Sequence, residues 1–321
     1  MKFVMTTLLV LAFTSFANAQ YSVDHNGDDS DLTPSAAKVP NAKLSQLQYF
    51  PKQLEVDMGL NGSYFKTKST KKFGSTTLLD YNNDRWIGGA TVEVGVIDRL
   101  KIGVSWAYET DDASYNVPFN QPDLKSSGNI DPTISATFRA FDGPSFKVDL
   151  AASITPSLGH EKDADLFHDG NELNGFNEYD GAINLIGLVT ASSQIEGSVA
   201  FRYADSGNND DQTTGYTTTV GSHSTIDFSA RTLTEIAQNL FFGAGVDYAT
   251  TSSYTSQQLA TVANYGTSSV ATVGAIARYE VSPDNALGLE VAYIVNYTGS
   301  VTNNDLNQSG GGATVTYVHR F

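Results

Sequence analysis

Short and long connections alternate along most of this chain, and that alternation restricts its fold more than any other feature. They separate twelve segments, beginning at Leu54, in which about every second residue is apolar. A period of two places those apolar side chains on one face of a β-strand. The short connections, rich in turn-forming residues, are 97–99, 141–144, 192–194, 237–239 and 282–285. The long connections are roughly 66–84, 111–129, 157–178, 205–224, 249–268 and 298–310. The sequence therefore predicts antiparallel hairpins whose tight turns all lie at one end of the sheet.

The last segment shows the strand pattern most clearly. Ala313, Val315, Tyr317 and Phe321 are apolar, His319 interrupts the series, and most residues between them are polar. Each of the segments has about ten residues, the length of a tilted membrane-spanning strand. The pattern resembles bacterial outer-membrane β-barrels of the porin and solute-channel class. The resemblance implies an all-β fold in the bacterial cell outer membrane. It would be a single transmembrane antiparallel up-and-down β-barrel of about twelve strands, with short periplasmic turns and long extracellular loops.

The first fifty residues divide into two parts before the barrel. Lys2 precedes a short apolar stretch, and Ala17 and Ala19 stand at the positions that a signal peptidase reads. We therefore expect a signal peptide at 1–19, a flexible periplasmic lead-in at 20–50 and the transmembrane β-barrel at 51–321. The lead-in is polar and acidic, which favours mobility. A plug formed by the lead-in inside the barrel is the alternative.

Charge and cysteine content narrow the possible partners. The formal net charge is −16 at pH 7, so nucleic acid is not an expected partner, because its phosphates would be repelled. The chain has no cysteine, which excludes disulfides and a lipid-bearing N-terminal cysteine. The expected partners are outer-membrane lipids, the barrel-insertion machinery and a small-molecule solute.

Aromatic residues cluster where the strands would cross the two membrane surfaces, which is typical of interfacial girdles. Near the long connections these are Tyr64, Trp86, Trp106, Tyr108, Tyr179, Tyr203, Tyr248 and Tyr297. Near the short connections they are Phe138, Phe141, Phe146, Phe241, Phe242, Tyr279 and Phe321.

If the apolar face touches lipid, the opposite face lines the lumen. Its charges are mixed, with more acids than bases, which indicates a modest preference for cations. Two interpretations stay open: a permeation path whose charges select the solute, or an interior whose polar groups pair and meet water. The predicted lumen-lining acids are Glu55, Asp57, Glu93, Glu109, Asp131, Asp149, Glu196, Asp227, Asp247, Glu280 and Glu290. The predicted lumen-lining bases are Lys101, Arg139, Lys147, Arg202, Arg231, Arg278 and Arg320.

The histidines and carboxylates of the chain do not have the spacing of a metal site or a catalytic site. The loop from His160 to Glu172 combines histidines with carboxylates, but its spacing matches no helical zinc site and no twelve-residue calcium loop, so a solvated acidic loop is expected. His319 is the one histidine within a predicted strand, and no serine nucleophile is an obvious partner for it. We therefore expect no metal, no cofactor and no enzymatic activity. Tyr317, His319 and Phe321 are instead the predicted assembly signal, read by the insertion machinery.

One hairpin adds a second resemblance. The segment 128–159, GNIDPTISATFRAFDGPSFKVDLAASITPSLG, is similar to a hairpin of the transporter-like family named for the meta-pathway of phenol degradation. The similarity lies in the Gly128–Pro132 start and the Pro156–Gly159 ending. It implies passive uptake of small organic molecules and identifies no binding residue.

The sequence favours an outer-membrane diffusion channel or facilitator for small neutral or cationic solutes. The alternative is a structural or surface-interaction barrel that carries no solute and serves as an adhesin or phage receptor. An open lumen would favour the channel, whereas a lumen filled by paired charges and the lead-in would favour the alternative.

Overall fold

Antiparallel hairpins make up the computed structural model, which describes residues 46–47, 49–115, 124–159, 161–163, 175–190, 192–211, 216–258, 261–302 and 304–321. Twelve strands in these residues form the wall of a barrel. They are β1 (Val56–Phe73), β2 (Thr76–Ile97), β3 (Leu100–Tyr115), β4 (Leu124–Asp142), β5 (Phe146–Thr155), β7 (Glu178–Thr190), β8 (Ser193–Ala204), β11 (His223–Ala237), β12 (Leu240–Thr251), β15 (Ser268–Ser282), β16 (Asn285–Val301) and β17 (Asn304–Arg320). Five short strands belong to the long connections: β6 (Glu161–Asp163), β9 (Gly207–Asp211), β10 (Thr217–Val220), β13 (Tyr254–Gln258) and β14 (Thr261–Tyr265).

The sheet closes on itself between its first and last strands. β1 pairs antiparallel with β2 on one side and with β17 on the other, in a register that places Asp57 opposite Glu93 and Arg320. Closure satisfies every edge backbone group, which a sheet within lipid requires. The prediction of a twelve-stranded antiparallel up-and-down barrel is confirmed.

The outer face of the wall is an apolar belt. Large apolar side chains such as Val104, Phe228, Val246 and Val291 are exposed there, and they alternate along each strand with buried polar or small residues. Exposure of this many large apolar side chains is unfavourable in water, so the belt is the surface that faces lipid. Within the described ranges, no helix is long and apolar enough to cross a membrane.

Several predicted loops are continuations of strands. β1 and β2 remain paired from Lys66 opposite Asp84 out to Phe73 opposite Thr76, and they turn at Gly74, whose φ of 57° suits glycine. The predicted connection 66–84 is thus a long hairpin. Pairing within the hairpin satisfies backbone groups beyond the membrane as well as inside it.

Two aromatic residues assigned to the girdles lie inside the barrel. A register shift between Ile294 and Gly299 reverses the alternation of β16, so that Tyr297 points inward although Val295 points outward. Phe241 is also buried inside, next to the outward-facing Phe242. The prediction that Tyr297 and Phe241 belong to the lipid-facing girdles is wrong.

The outer end of the barrel is narrowed by the folded long connections. His223 lies between Phe176 and Tyr254, at ring-centroid distances of 5.7 and 4.9 Å. Tyr254 stacks on Tyr265 at 4.6 Å. Tyr254 and Tyr265 belong to an apolar cluster that includes the inward residues Ile294 and Tyr297. The long connections therefore fold over one side of the lumen.

Candidate functional site: a lumen cavity closed by an internal strap

A cavity of about 230 Å³ occupies one side of the lumen. Its lining comes mainly from β2–β5, β7 and β8 and consists largely of small side chains. We call these residues the small-residue wall: Thr91, Ser105, Thr133, Ser135, Thr137, Ala151, Ser153, Ala182, Asn184, Ser198 and Ala200. Because none of these side chains reaches far across the barrel, the space beside them stays open. The hydroxyl and amide groups make the lining of the cavity polar.

Ion pairs link neighbouring strands at the edges of this wall. Arg139 donates from Nε and Nη2 to the two carboxylate oxygens of Asp149, at 2.8 and 2.9 Å. Lys101 donates to Glu93 at 3.1 Å. Both pairs are buried, so their charges are balanced within the barrel rather than by bulk water.

Further pairs continue the series toward both ends of the barrel. Arg320 contacts Asp57 at 3.2 Å across the closing seam. Arg202 pairs with Asp180, and Arg85 pairs with Glu109. Asp180 and Arg85 were not predicted as lumen residues. Their positions beside the outward Tyr179 and Trp86 gave the signal, because the period of two directs them inward.

Bulky side chains fill the opposite side of the lumen. We call this the large-residue side: Arg231, Leu233, Phe241, Ile276, Arg278, Ile294 and Tyr297, from β11, β12, β15 and β16. Leu233 and Ile276 are 1% and 2% exposed, which shows that this side is packed. The open space is consequently displaced from the barrel axis toward the small-residue wall.

A short segment of chain lies inside the end of the barrel that carries the tight turns. We call the described residues 46–47 and 49–51 the strap. Leu47 packs in an apolar cluster with Ile186, Leu233, Phe241 and Ile276. Its backbone N–H donates to Oε1 of Gln194 at 2.6 Å. The strap is thus anchored to the packed side of the lumen.

Cationic side chains hold the other residues of the strap. The guanidinium of Arg139 lies 4.6 Å from the ring centroid of Phe50, and Lys101 Nζ lies 5.6 Å from the same centroid. Arg320 stacks on the Tyr49 ring at 4.6 Å. The Tyr49 hydroxyl donates to Asp57 at 3.0 Å. Cation–π contacts of this kind strengthen when water is excluded. Two of these cations, Lys101 and Arg320, are paired with Glu93 and Asp57, which line the cavity.

The backbone that follows the strap passes close to β2. A Cβ at Gly95 would lie 1.9 Å from the carbonyl oxygen of Lys52, so this approach requires glycine. Gly95 also exchanges backbone hydrogen bonds with Leu54 and Glu55. Leu54 lies in this turn with a φ of 68°, and the first strand begins only at Val56.

These contacts bear on the predicted domain division. The described end of the predicted lead-in lies within the lumen, where a plug would lie. The polar sequence that precedes it did not indicate this position. Residues 1–45 are outside the described residues, so the signal peptide at 1–19 and a flexible lead-in over 20–45 stay predictions.

The eighteen charged residues assigned to the lumen have inward positions in the wall or near its rims. Thirteen are buried: Asp57, Glu93, Lys101, Glu109, Asp131, Arg139, Asp149, Asp227, Arg231, Asp247, Arg278, Glu280 and Arg320. Five are half-buried: Glu55, Lys147, Glu196, Arg202 and Glu290. Whether a solute meets these side chains is part of the proposal below.

The remaining candidates separate into different regions. Tyr317 and Phe321 are exposed, and Oδ1 of Asn285 accepts a 2.9 Å hydrogen bond from Nδ1 of His319. Their reading by the insertion machinery stays a prediction. Among the described residues, no group of three or more His, Asp or Glu could hold a metal ion. Most of the acidic loop from His160 to Glu172 lies outside those residues.

The hairpin of segment 128–159 is closed by one of its own motif residues. Asp131, in the Gly128–Pro132 start, accepts a 2.9 Å hydrogen bond from the backbone N–H of Leu158, in the Pro156–Gly159 ending. The two ends of the segment are therefore in contact.

Solved structures share this architecture. An outer membrane channel from Pseudomonas putida F1 superposes with a TM-score of 0.60 at 11% identity, covering 85% of this chain and 98% of that one. The fold is that of a bacterial outer-membrane β-barrel. The transport unit of the autotransporter AIDA-I from Escherichia coli superposes on the barrel with a TM-score of 0.53 at 7% identity, covering 84% of this chain and 91% of that one. The NanC porin superposes with a TM-score of 0.42 at 11% identity, covering 82% and 98%.

No protein-family model matches the chain, and no curated protein matches it. The resemblance of segment 128–159 to the meta-pathway family therefore stays a prediction. Together with the apolar belt, the barrel fold shared with the Pseudomonas channel and the AIDA-I transport unit confirms the prediction of an outer-membrane protein.

Proposed function

We propose that the barrel is an outer-membrane diffusion channel for small polar solutes, neutral or cationic, and not an enzyme. The observation that carries this proposal is the cavity beside the small-residue wall. A barrel that served only as a scaffold could fill its lumen with bulky or paired side chains on both sides. In the part of the chain that the structure describes, bulky side chains fill one side and leave the other open.

The lining of the cavity supports a polar solute. Hydroxyl groups of Ser and Thr alternate with alanine methyl groups, and no aromatic ring is among the described residues that line it. Such a surface replaces the hydrogen bonds of a hydrated solute, whereas a hydrocarbon would gain little there.

The balance of charge supports neutral or cationic solutes. Among the residues predicted to line the lumen, eleven acids exceed seven bases, and the whole chain is strongly acidic. The structure adds one inward charge of each sign, Asp180 and Arg85. A lumen of negative potential concentrates cations and excludes anions.

The strap sets the state of this channel. Tyr49 and Phe50 lie against Asp57, Arg139 and Arg320 at the inner end of the cavity. We propose that this arrangement is the closed state and that movement of the strap opens the path.

Reversal potentials across a potassium chloride gradient test the selectivity. We expect cation preference in planar bilayers at low salt, fading toward molar salt as the screening length falls from about 10 Å to about 3 Å. The double variant Glu93→Gln, Asp149→Asn should weaken the preference. The matched control is Asp112→Asn, which removes a charge from an exposed surface pair with Lys125. Anion preference of the unaltered protein would contradict the charge argument.

The non-transporting barrel is the second candidate, and the strap is the observation that favours it. The strap, the packed side and the ion pairs together occupy much of the lumen. A folded protein that conducts neither with the strap nor after its contacts are removed would support this candidate over the channel.

A further inference from the structure

We propose that Asp227 forms a binding subsite for the primary ammonium group of a permeating solute. This inference rests on the proposed channel function and names the chemistry that the path recognises. It is carried by the position of Asp227 between two cavities and by an oxygen of its carboxylate that accepts no hydrogen bond from the described residues.

Asp227 lies where two cavities meet. A second cavity, of about 90 Å³, lies between the first one and the strap. The two share Asn184, Ser198, Ala200 and Asp227 in their linings. A solute that passes from the wider cavity toward the strap must therefore pass this carboxylate.

The other acids that line the wider cavity have cationic partners. Glu93 pairs with Lys101, Asp180 with Arg202, and Asp57 with Arg320. In the narrower cavity, Asp149 pairs with Arg139, and Glu196 lies directly opposite Arg231 in the strand register. The four ion-paired carboxylates among these are already balanced by the protein.

Asp227 differs from them. It is 7% exposed, and its Oδ1 makes no hydrogen bond with any described residue. Arg202 and Arg231 attract it electrostatically, but Arg202 is bonded to Asp180, and Arg231 lies opposite Glu196, which it also attracts. A buried carboxylate oxygen without a donor is costly unless another group supplies one. The inward position of Asp227 makes that group a molecule in the lumen.

The surroundings select a primary ammonium group. Ser198 and Ser229 lie opposite one another on β8 and β11, next to Asp227, and both line the narrower cavity. An ammonium group has three N–H donors, which a carboxylate and two hydroxyl oxygens can accept. A quaternary ammonium ion has no N–H to donate. It binds best to aromatic rings, and the wider cavity presents none among its described lining residues. The narrower cavity has the rings of Tyr49 and Phe50, but these already contact Arg320, Arg139 and Lys101.

Competition for flux tests the subsite in the full-length protein. Proteoliposomes report the entry of neutral ethylene glycol, and ethanolamine is added as competitor. We expect ethanolamine to inhibit the unaltered protein, and Asp227→Asn to raise the half-inhibiting concentration about tenfold, as expected for loss of a hydrogen bond to a charged group. Choline, the quaternary counterpart, should compete weakly with either protein.

Asp247→Asn is the matched control. Asp247 is an equally buried inward acid, and its Oδ1 likewise accepts no hydrogen bond from a described residue. It lines neither cavity, and its other carboxylate oxygen accepts a hydrogen bond from Thr272. This variant should keep the unaltered response to ethanolamine. Gel mobility before and after boiling confirms that both variants fold.

The outcomes separate this inference from the channel itself. Ethylene glycol flux with equal ethanolamine inhibition in all three proteins would overturn the subsite and leave the channel. Equal losses in the two variants, or competition by choline as strong as by ethanolamine, would also overturn the subsite. If neither the unaltered protein nor the double variant Tyr49→Ala, Phe50→Ala conducted ethylene glycol, both the subsite and the channel would be overturned.

Discussion

The two sides of the lumen share the alternation of inward and outward residues along most of their strands, and they differ in the size of their inward side chains. On β4 and β5 the inward positions hold Ser135, Thr137, Ala151 and Ser153, and a cavity remains beside them. On β11, β12 and β15 they hold larger residues such as Leu233, Phe241 and Ile276, which pack together. The alternation of strands thus fixes which residues face inward, and side-chain volume decides where the barrel is open.

The largest effect should come from removing a bulky residue on the packed side. Leu233→Ala should destabilise the folded barrel by about 3 kcal/mol, because it leaves a void among close-packed neighbours. Urea titration in detergent micelles measures this. Ser135→Ala, on the small-residue wall, should cost at most about 1 kcal/mol. Equal losses at the two sites would break the distinction between a packed side and an open one.

Filling the open side should reduce transport more than stability. Ala182→Phe places a ring in the cavity and should lower solute flux by about tenfold, because a narrowed lumen excludes hydrated solutes. Ala275→Phe is the control, since Ala275 is exposed on the outer face of β15. The readout is liposome swelling in ethylene glycol. Undiminished flux through the Ala182 variant would show that solutes do not use this side.

Releasing the strap should have the smallest effect of the three and the opposite sign. Tyr49→Ala with Phe50→Ala removes the rings that contact Arg320, Arg139 and Lys101, and each such contact stabilises the strap by about 0.5–2 kcal/mol. Single-channel recordings should show longer open times. Leu54→Ala, at an exposed turn residue outside the lumen, should leave the recordings unchanged. Identical gating in both variants would contradict the closed-state assignment.

The alternation of apolar and polar residues in the sequence predicts most of the barrel wall, but it does not predict what occupies the lumen. The period of two places Val246 outside and Asp247 inside, and it does so along nearly every strand. It fails in β16, where an irregularity after Ile294 shifts the register and brings Tyr297 inward. A shift of one residue cannot be recognised in the sequence of a strand such as β16, because apolar residues both precede and follow it.

The contents of the lumen depend on contacts between distant residues. Ile186, Leu233, Phe241 and Ile276 are apolar residues on the inward face, and that departure from alternation was the available sign of an internal apolar cluster. Nothing in the polar surroundings of Leu47 indicates that it completes this cluster. Asp227 resembles the other inward acids in sequence, and only the arrangement of ion pairs distinguishes it.

The contacts of Tyr49 impose an order on biogenesis. Its partners Asp57 and Arg320 lie on the first and last strands of the wall, which are 263 residues apart and meet only when the sheet closes. A folding intermediate in which β1 and β17 are not yet paired cannot bind Tyr49 in this way. The strap therefore closes the lumen only after the barrel itself has closed. A barrel that has not closed remains open at its periplasmic end.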